Sequence, residues 1–291
     1  MKPSYLKSPL SYEEQTELLK SRNLTVSNES FCSKKLQHIN YYRLSAYFYP
    51  FYEDANRFKD GVKFEEILQL YYFDKEFRNL IFYSIEKIEV YLRTQLAHAI
   101  SQRAGAFGYS DVLMFHDQVK HQEIMNTIKS ETSRSKEIFV NEYFKKYDER
   151  RLPIWAMVEI ISFNTLSKIF ANLKEKYRKE ILKELDVKPL VFENWLHTLT
   201  YVRNICAHHS RLWNKTLAIE PKKPKNQKVF ELLNSKKIFY VISMILFMLE
   251  KIDDEELNFK NEIKKLTLKY PNVNLFSMGF IKEWESLELC R

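Results

Sequence analysis

The segment from Phe64 to Arg103 constrains the fold of this chain more than any other feature. It runs for 40 residues without a glycine or a proline, the two residues that most often interrupt a helix. Apolar residues recur along it at steps of three and four, which is the spacing of one face of an α-helix. The sequence AGAFGY, with two of the four glycines of the chain, follows it directly. We therefore expect one long helix with a broad apolar face, ending at these glycines.

The rest of the chain shares this shortage of helix breakers. It has 4 glycines and 8 prolines in 291 residues, and 45% of its residues are hydrophobic. An all-β protein would need turn residues at short, regular intervals, so we expect an all-α fold with at least six helices and no sheet larger than a hairpin. Further helices are predicted over Ser11–Lys20, Leu152–Leu173, Arg178–Leu185, Leu190–Trp213 and Lys236–Lys251, with an exposed helix pair within Asp117–Tyr147. The Leu190–Trp213 helix is expected to pack against the Phe64–Arg103 helix.

The net charge and the cysteine content limit the classes of binding partner and the cellular compartment that we expect for this chain. The formal charge is +8 and the isoelectric point is near 9.1, which favours a polyanionic partner such as nucleic acid, although a general excess of lysine would give the same value. Cys32, Cys206 and Cys290 are far apart and have no zinc-site spacing. The N-terminus lacks the apolar core of a signal peptide, and the most apolar run, Ile238–Leu249, is too short to cross a bilayer. We expect a cytoplasmic protein without a membrane partner, a metal or another cofactor.

The stretch from Leu36 to Tyr52 is unusually aromatic. It holds seven Tyr or Phe residues around Arg43. Such rings form either a core or a surface on which RNA bases stack. The core interpretation is favoured, because tyrosines at the edge of a domain easily satisfy their hydroxyl groups.

The segment TYVRNICAHHSRLWN holds the candidate catalytic residues. A polar stripe follows steps of four, three, four, three and four, and so lies along one side of the predicted Leu190–Trp213 helix. An ordinary solvated face would hold Lys and Glu, whereas this one holds groups that handle protons and phosphates. The stripe consists of His197, Tyr201, Asn204, His208, Arg211 and Lys215.

These residues suit RNA cleavage without a metal. That reaction needs a base for the 2′-hydroxyl proton, an acid for the leaving oxygen, and a cation beside the non-bridging phosphate oxygens. His208, a second histidine and Arg203 are the right chemical types. The alternative is that His208 and His209 only cap or pack the end of a helix.

A second pair, Arg93 and His98, has the same spacing as Arg203 and His208. Glu86, Glu89 and Arg93 share one helix face, so the favoured interpretation is a ladder of surface ion pairs. The other interpretation places these carboxylates beside an arginine of a composite site. Metal binding by Glu86, Glu89 and His98 lacks a fourth ligand at a suitable spacing.

The sequence also resembles a known family. RNICAHHSRLWN matches the RNxxxH signature of HEPN domains, and its flanks are similar to the Abi-like abortive-infection family, to which AbiD and AbiF belong. Asn164 stands where that family's pattern has Gly. Five blocks in the same order carry the resemblance: INYYRLSAYFYPF, IEVYLRTQLAHAI, LPIWAMVEIISFNTLSKIF, WLHTLTYVRNICAHHSRLWN and YPNVNLFSMGFIKEW.

The resemblance implies an all-helical HEPN bundle that acts in anti-phage defence. It implies a metal-independent endoribonuclease in which Arg203 and His208 are catalytic and Asn204 supports them, with a toxin-like activity restrained by a small structured RNA, as in a toxin–antitoxin system. One domain over residues 1–291 is expected, with a core over about 62–252 and helical extensions over 1–61 and 253–291 packed on it. Supporting roles fall to His197, Tyr201, His209 and Arg211.

One RNxxxH motif supplies a single histidine near the phosphate, so a second one must join it. We expect it from a twofold pairing of Leu190–Trp213 helices in a homodimer, or from Arg93 and His98 of the same chain, unless His197 serves. A non-catalytic RNA-binding module and a helical protein-interaction scaffold remain alternatives. RNA contacts are expected from the basic residues Arg43, Lys215, Lys222, Lys223, Lys225 and Lys228, although the lysines also suit a solvated loop.

Overall fold

The computed structural model describes residues 8–54, 56–225, 227–252 and 258–287. Over these residues it contains twelve α-helices, six short 3-10 helices and three isolated β-bridges, but no β-strand. The α-helices are α1 (Tyr12–Ser21), α2 (Glu29–His38), α3 (Tyr41–Ser45), α4 (Phe64–Ala104), α5 (Gln118–Arg134), α6 (Ile138–Lys146), α7 (Ile154–Ile160), α8 (Phe163–Asn172), α9 (Glu175–Ile181), α10 (Pro189–Ala207), α11 (Ile238–Ile252) and α12 (Phe259–Lys269).

The expected all-α fold is confirmed. The long helix appears as the 41-residue α4, the apolar helix as α11, and the exposed helix pair as α5 and α6. The helix expected over Ser11–Lys20 is α1, in which Ser11 and Glu14 form the reciprocal hydrogen bonds of a capping box.

Three predicted helices have wrong boundaries. The helix expected over Arg178–Leu185 is α9, which begins at Glu175 and ends at Ile181. The helix expected over Leu152–Leu173 is two helices, because Ile161 adopts an extended conformation and the Ser162 side chain accepts a hydrogen bond from the backbone N–H of Thr165, which starts α8. The helix expected over Leu190–Trp213 ends at Ala207. Cys290 lies outside the described residues.

The contacts divide the chain into two compact units. The first comprises residues up to 77 and residues 265–273, and the second comprises residues 78–264 and the chain from 274 onward. The expectation of one domain over the whole chain stays a prediction.

The first unit is built on paired helices and an aromatic cluster. α1 packs against α2, where the hydroxyl groups of Thr16 and Ser33 are 3.0 Å apart. In the aromatic stretch, Tyr47 and Phe48 are buried, as expected for a core, whereas Tyr42 and Tyr49 are largely exposed. The stretch therefore contributes both core and surface.

The second unit is organised around α11. All residues from Ile238 to Leu249 are buried, as a central helix requires. α10 packs chiefly against α8 and also contacts α9 and α11, while α5 packs against α8 and α7. Trp195 of α10 meets Phe230 and Phe247 in an aromatic cluster. These contacts fix the helix that carries the candidate site. Within the described residues, no helix is long and apolar enough to cross a membrane.

Candidate active site

α10 begins at a proline and ends in a capping motif. Pro189 occupies its first turn, where the missing N–H costs no hydrogen bond. At the other end, the N–H of His209 bonds to the carbonyl of Cys206 and the N–H of Ser210 bonds to the carbonyl of Ile205, both at 3.0 Å. These two bonds form a Schellman motif, which terminates a helix. His209 adopts the left-handed conformation with φ of +54°, a position usually taken by glycine.

This ending divides the predicted polar stripe. The N–H of His208 still bonds to the carbonyl of Asn204 at 3.0 Å, so Asn204 and His208 remain neighbours on one side of α10, about 5–6 Å apart at their Cβ atoms. His197 and Tyr201 lie on the same side, where His197, Asn204 and His208 are exposed and Tyr201 is half-buried. Arg211 and Lys215 follow the left-handed turn, so their predicted place on this helix face is wrong.

Arg203 is held by an aromatic ring of α4. Its guanidinium carbon lies 5.3 Å from the centre of the Phe82 ring, a cation–π contact worth about 1 kcal/mol. Arg203 is half-buried. The contact keeps a permanent positive charge close to α4 at the exposed end of α10.

Three interactions show that the segment 180–203 meets α4 in reverse order. Arg103 pairs with Glu180 at 3.3 Å. Burial and the nearby Glu184 carboxylate raise the pKa of Tyr91. Arg203 lies over Phe82. Later residues of the segment thus meet earlier residues of α4.

This reverse order separates the two arginine–histidine pairs. His98 follows Phe82 by sixteen residues, which is roughly 24 Å along the axis of α4. His208 follows Arg203 by five residues, in the direction away from His98. The structure therefore does not bring His98 to the Arg203 and His208 pair.

Arg93 instead makes structural contacts. Its guanidinium donates hydrogen bonds to the carbonyls of Val158 and Ile161 at the end of α7 and to the carboxylate of Glu89. Arg93 is buried and Glu89 is half-buried, whereas Glu86 and His98 are exposed. The ion pair expected between Glu89 and Arg93 is present, but Arg93 is buried rather than on the helix surface.

The lysine-rich segment after α10 is an anchored loop. Pro221 and Pro224 are buried. The N–H of Lys222 donates to the Asn194 side chain, and the carbonyl of Lys222 accepts from the Trp195 indole at 2.8 Å and from the Tyr240 hydroxyl at 3.2 Å. Burial raises the pKa of Tyr240 above its usual range, so this donor stays protonated.

The side chains of this loop point away from its anchors. Lys222, Lys223, Lys225 and Lys228 are exposed, and Lys215 is half-exposed. The anchors on Asn194 and Trp195 place Lys222 beside the first half of α10. Arg43 is exposed too, but it belongs to the first unit.

Two features of the site were missed from the sequence. Nothing in the sequence indicated that Phe82 would contact Arg203, since Phe82 lies more than 100 residues earlier in the chain. In the sequence, the three-residue spacing of Pro221 and Pro224 was the one sign that both prolines would be buried. Among the described residues, no cluster of three or more His, Cys, Asp or Glu is arranged to hold a metal ion.

Comparison with known proteins gives one match. The model of a family described as Abi-like protein matches residues 34–214, which include all of α4 and all of α10. Neither the search of curated proteins nor the search of solved structures found a match.

Proposed function

The chain belongs to the Abi-like protein family, and from this premise we propose that it is a HEPN-type, metal-independent endoribonuclease. The family links it to abortive infection, a form of phage defence. The observation that carries the proposal is the end of α10, where Asn204 and His208 share an exposed face next to an arginine held over Phe82.

Each of these residues has a role in cleavage by the RNA's own 2′-hydroxyl. A base takes the 2′-hydroxyl proton, the 2′-oxygen attacks phosphorus, and the bond to the 5′-oxygen breaks as an acid protonates that oxygen. The products are a 2′,3′-cyclic phosphate and a 5′-hydroxyl. His208 serves as the base or the acid, Arg203 stabilises the charge on the phosphate oxygens, and the amide of Asn204 orients the phosphate.

A second histidine completes the site. His197 is on the same face as His208 but eleven residues away, roughly 16 Å along the helix, and His98 lies further off in the same chain. A second copy of His208, supplied by a homodimer, therefore fits the reaction best. Pairing about a twofold axis near the end of α10 would bring the two motifs together.

The anchored lysine loop supports RNA binding. The side chains of Lys222, Lys223 and Lys225 are exposed. Hydrogen bonds to Asn194, Trp195 and Tyr240 hold the backbone at Lys222, so RNA binding would not need to order this part of the loop at a cost in conformational entropy. We propose that this loop holds the phosphates of a small structured RNA that restrains the activity. The same loop supports the second candidate function, an RNA-binding module without catalysis.

One experiment separates these functions. Purified protein is incubated with total RNA, with and without a chelator, and both cleavage and retained RNA are measured for the wild type, for His208→Ala and for a variant with Lys222, Lys223 and Lys225 changed to Gln. We expect chelator-resistant cleavage that leaves cyclic phosphate ends, lost in His208→Ala while RNA binding remains. The lysine variant should bind RNA more weakly and show a shallower dependence on salt.

Each other outcome has a definite meaning. RNA binding without cleavage in any variant would support the non-catalytic module. Full cleavage by His208→Ala would refute the catalytic assignment. The absence of both binding and cleavage at low salt would reject both functions and leave a protein-interaction scaffold.

A further inference from the structure

The chain that leaves α10 returns to the first half of the same helix. The side-chain amide of Asn194 donates to the carbonyl of Glu220 at 3.2 Å, and its oxygen accepts a hydrogen bond from the N–H of Lys222. His208, the C-cap of α10, follows Asn194 by fourteen residues, which is roughly 21 Å along the helix axis. The segment 210–222 therefore starts next to the candidate active site and ends about 21 Å from it along α10.

The returning segment borders the exposed face of α10. At about 100° of rotation per residue, the four residues of the polar stripe that stay on this helix lie within about 40° of His197 around the axis. Asn194, which anchors the segment, lies about 60° from His197. Lys222 is thus held at the edge of the polar stripe, beside its first residue. The four residues are His197, Tyr201, Asn204 and His208.

Most of the net charge of the chain lies in the returning segment and its continuation to α11. Residues 210–237 hold eight Lys or Arg against two Glu, a net charge of +6 out of +8 for the whole chain. One of the two carboxylates, Glu220, accepts a hydrogen bond from the Ser235 hydroxyl. The carboxylate of α10 itself, Glu193, is bonded to the Arg178 guanidinium at 2.8 Å. The border of the polar stripe is therefore strongly positive, which suits a polyanion.

Cations follow the returning segment over its length. Lys215, soon after the end of α10, is half-exposed. Lys236, which is exposed, is joined to the middle of the segment by a hydrogen bond of 2.9 Å from the N–H of Leu217 to its carbonyl. Lys222 and Lys223, at the end of the segment, are exposed as well. A polyanion that lies along the stripe would meet a cation at each stage.

The polar stripe is longer than the cleavage reaction needs. The reaction takes place at one phosphate, whereas His197 is roughly 16 Å from His208 along the helix. With one phosphate for every 3.4 Å of a stacked strand, and fewer in an extended one, the distance from His208 to Asn194 corresponds to about three to six nucleotides. Tyr201, half-buried between the two histidines, offers aromatic surface to a base. The stripe fits several nucleotides of one strand.

We propose that the exposed face of α10 and the segment 210–223, together called the basic track, bind several nucleotides of the substrate RNA on one side of the cleaved phosphate. His197, Lys222 and Lys223 contact the phosphates farthest from His208. This inference rests on the endoribonuclease function proposed above, and it adds a minimum length for the substrate. The structured RNA proposed above would occupy the same lysines and so exclude the substrate.

Cleavage of oligonucleotides of increasing length tests the basic track. Each oligonucleotide keeps one 2′-hydroxyl, with each of the four bases in turn at that position, and is 2′-O-methylated elsewhere, so that only one bond can be cut. Lengthening on at least one side should raise kcat/KM by up to about fivefold per added phosphate, the scale of one exposed charge contact. The gain should stop after about three to six nucleotides. A kcat/KM that does not change with length would overturn the inference and leave the proposed function intact.

Variants at the far end of the track locate the effect. Lys222→Gln combined with Lys223→Gln should lower cleavage of the long oligonucleotides more than that of the short ones, and His197→Gln should act in the same direction. The matched control, Lys129→Gln combined with Lys136→Gln, removes the same charge from exposed lysines of α5 and the turn after it, and should keep the full length dependence. Equal losses on long and short oligonucleotides would overturn the track.

Binding without cleavage gives a second measurement. The affinity of fully 2′-O-methylated oligonucleotides, measured by fluorescence anisotropy, should rise with length, and the Lys222 and Lys223 double variant should lose part of this rise. If the affinity depends on length in this way but no oligonucleotide is cleaved, the proposed catalysis fails and the track stands as an RNA-binding surface. An affinity independent of length, or the same rise in the double variant, would overturn the track whether or not cleavage occurs.

Discussion

His208 and His209 are adjacent in the chain but have different backbone conformations. His208 has φ of −86° and ψ of 8° at the C-cap of α10, whereas His209 has φ of +54°. A left-handed conformation costs a residue with a Cβ atom roughly 1–2 kcal/mol. His209 therefore carries strain next to the histidine that we assign to catalysis, in a turn that leaves His208 at the exposed helix end.

We predict that His209→Gly is more stable than His209→Ala by about 1 kcal/mol. Both variants remove the imidazole and its contacts, so the difference isolates the backbone strain, which glycine relieves. Urea unfolding followed by circular dichroism measures the two free energies. Equal stability of the two variants would contradict the strain assigned to this turn, and cleavage by His209→Gly should persist, in contrast to His208→Ala.

At the scale of elements, Arg93 connects α4 to the end of α7. Its two carbonyl acceptors, Val158 and Ile161, are among the last carbonyls of a helix, which have no partner within the helix itself. The bend that separates α7 from α8 therefore depends on a side chain from a distant part of the chain. This contact supplies donors to carbonyls that the break between α7 and α8 leaves without a helical partner.

We predict that Arg93→Met lowers the free energy of unfolding by about 3 kcal/mol. The substitution leaves the Glu89 carboxylate without its buried partner and the carbonyls of α7 without a donor. Arg103→Met, on the same helix, is the matched control, since its ion pair with Glu180 is exposed and is worth less than about 1 kcal/mol. Denaturant unfolding of both variants checks the prediction, and similar losses in the two would contradict it.

At the scale of the whole molecule, the proposed reaction needs a second chain. One copy of α10 displays a single His208, and the contact of Arg203 with Phe82 places this end of α10 at a point of α4 sixteen residues before His98. A twofold pairing supplies the same surface from each copy. In the proposed mechanism the active unit is a homodimer with one composite site.

We predict that His208→Ala chains inactivate wild-type chains when both are co-expressed with different tags. If one site needs both histidines, an equal mixture retains about a quarter of the wild-type activity, whereas independent sites would retain about half. Light scattering gives the oligomeric state, and the cleavage assay gives the activity. His98→Ala chains serve as the control, because mixing with them should leave the activity unchanged.

The sequence by itself determined the all-α class, the extent of α4 and α11, and the shared face of Asn204 and His208. These features follow from local periodicity and from the scarcity of glycine and proline, which act within a few residues of each other. The end of α10 was predicted six residues too late. His209 adopts the left-handed conformation that ends the helix, and a histidine at this position does not indicate a helix end as a glycine would.

Only the tertiary structure decided the surroundings of the site. The support of Arg203 by Phe82, the use of Arg93 at the end of α7, and the anchoring of the lysine loop on Asn194 and Trp195 all join residues far apart in the chain. Such contacts depend on how the helices pack, and the spacing of residues within one helix carries no information about the residues of another.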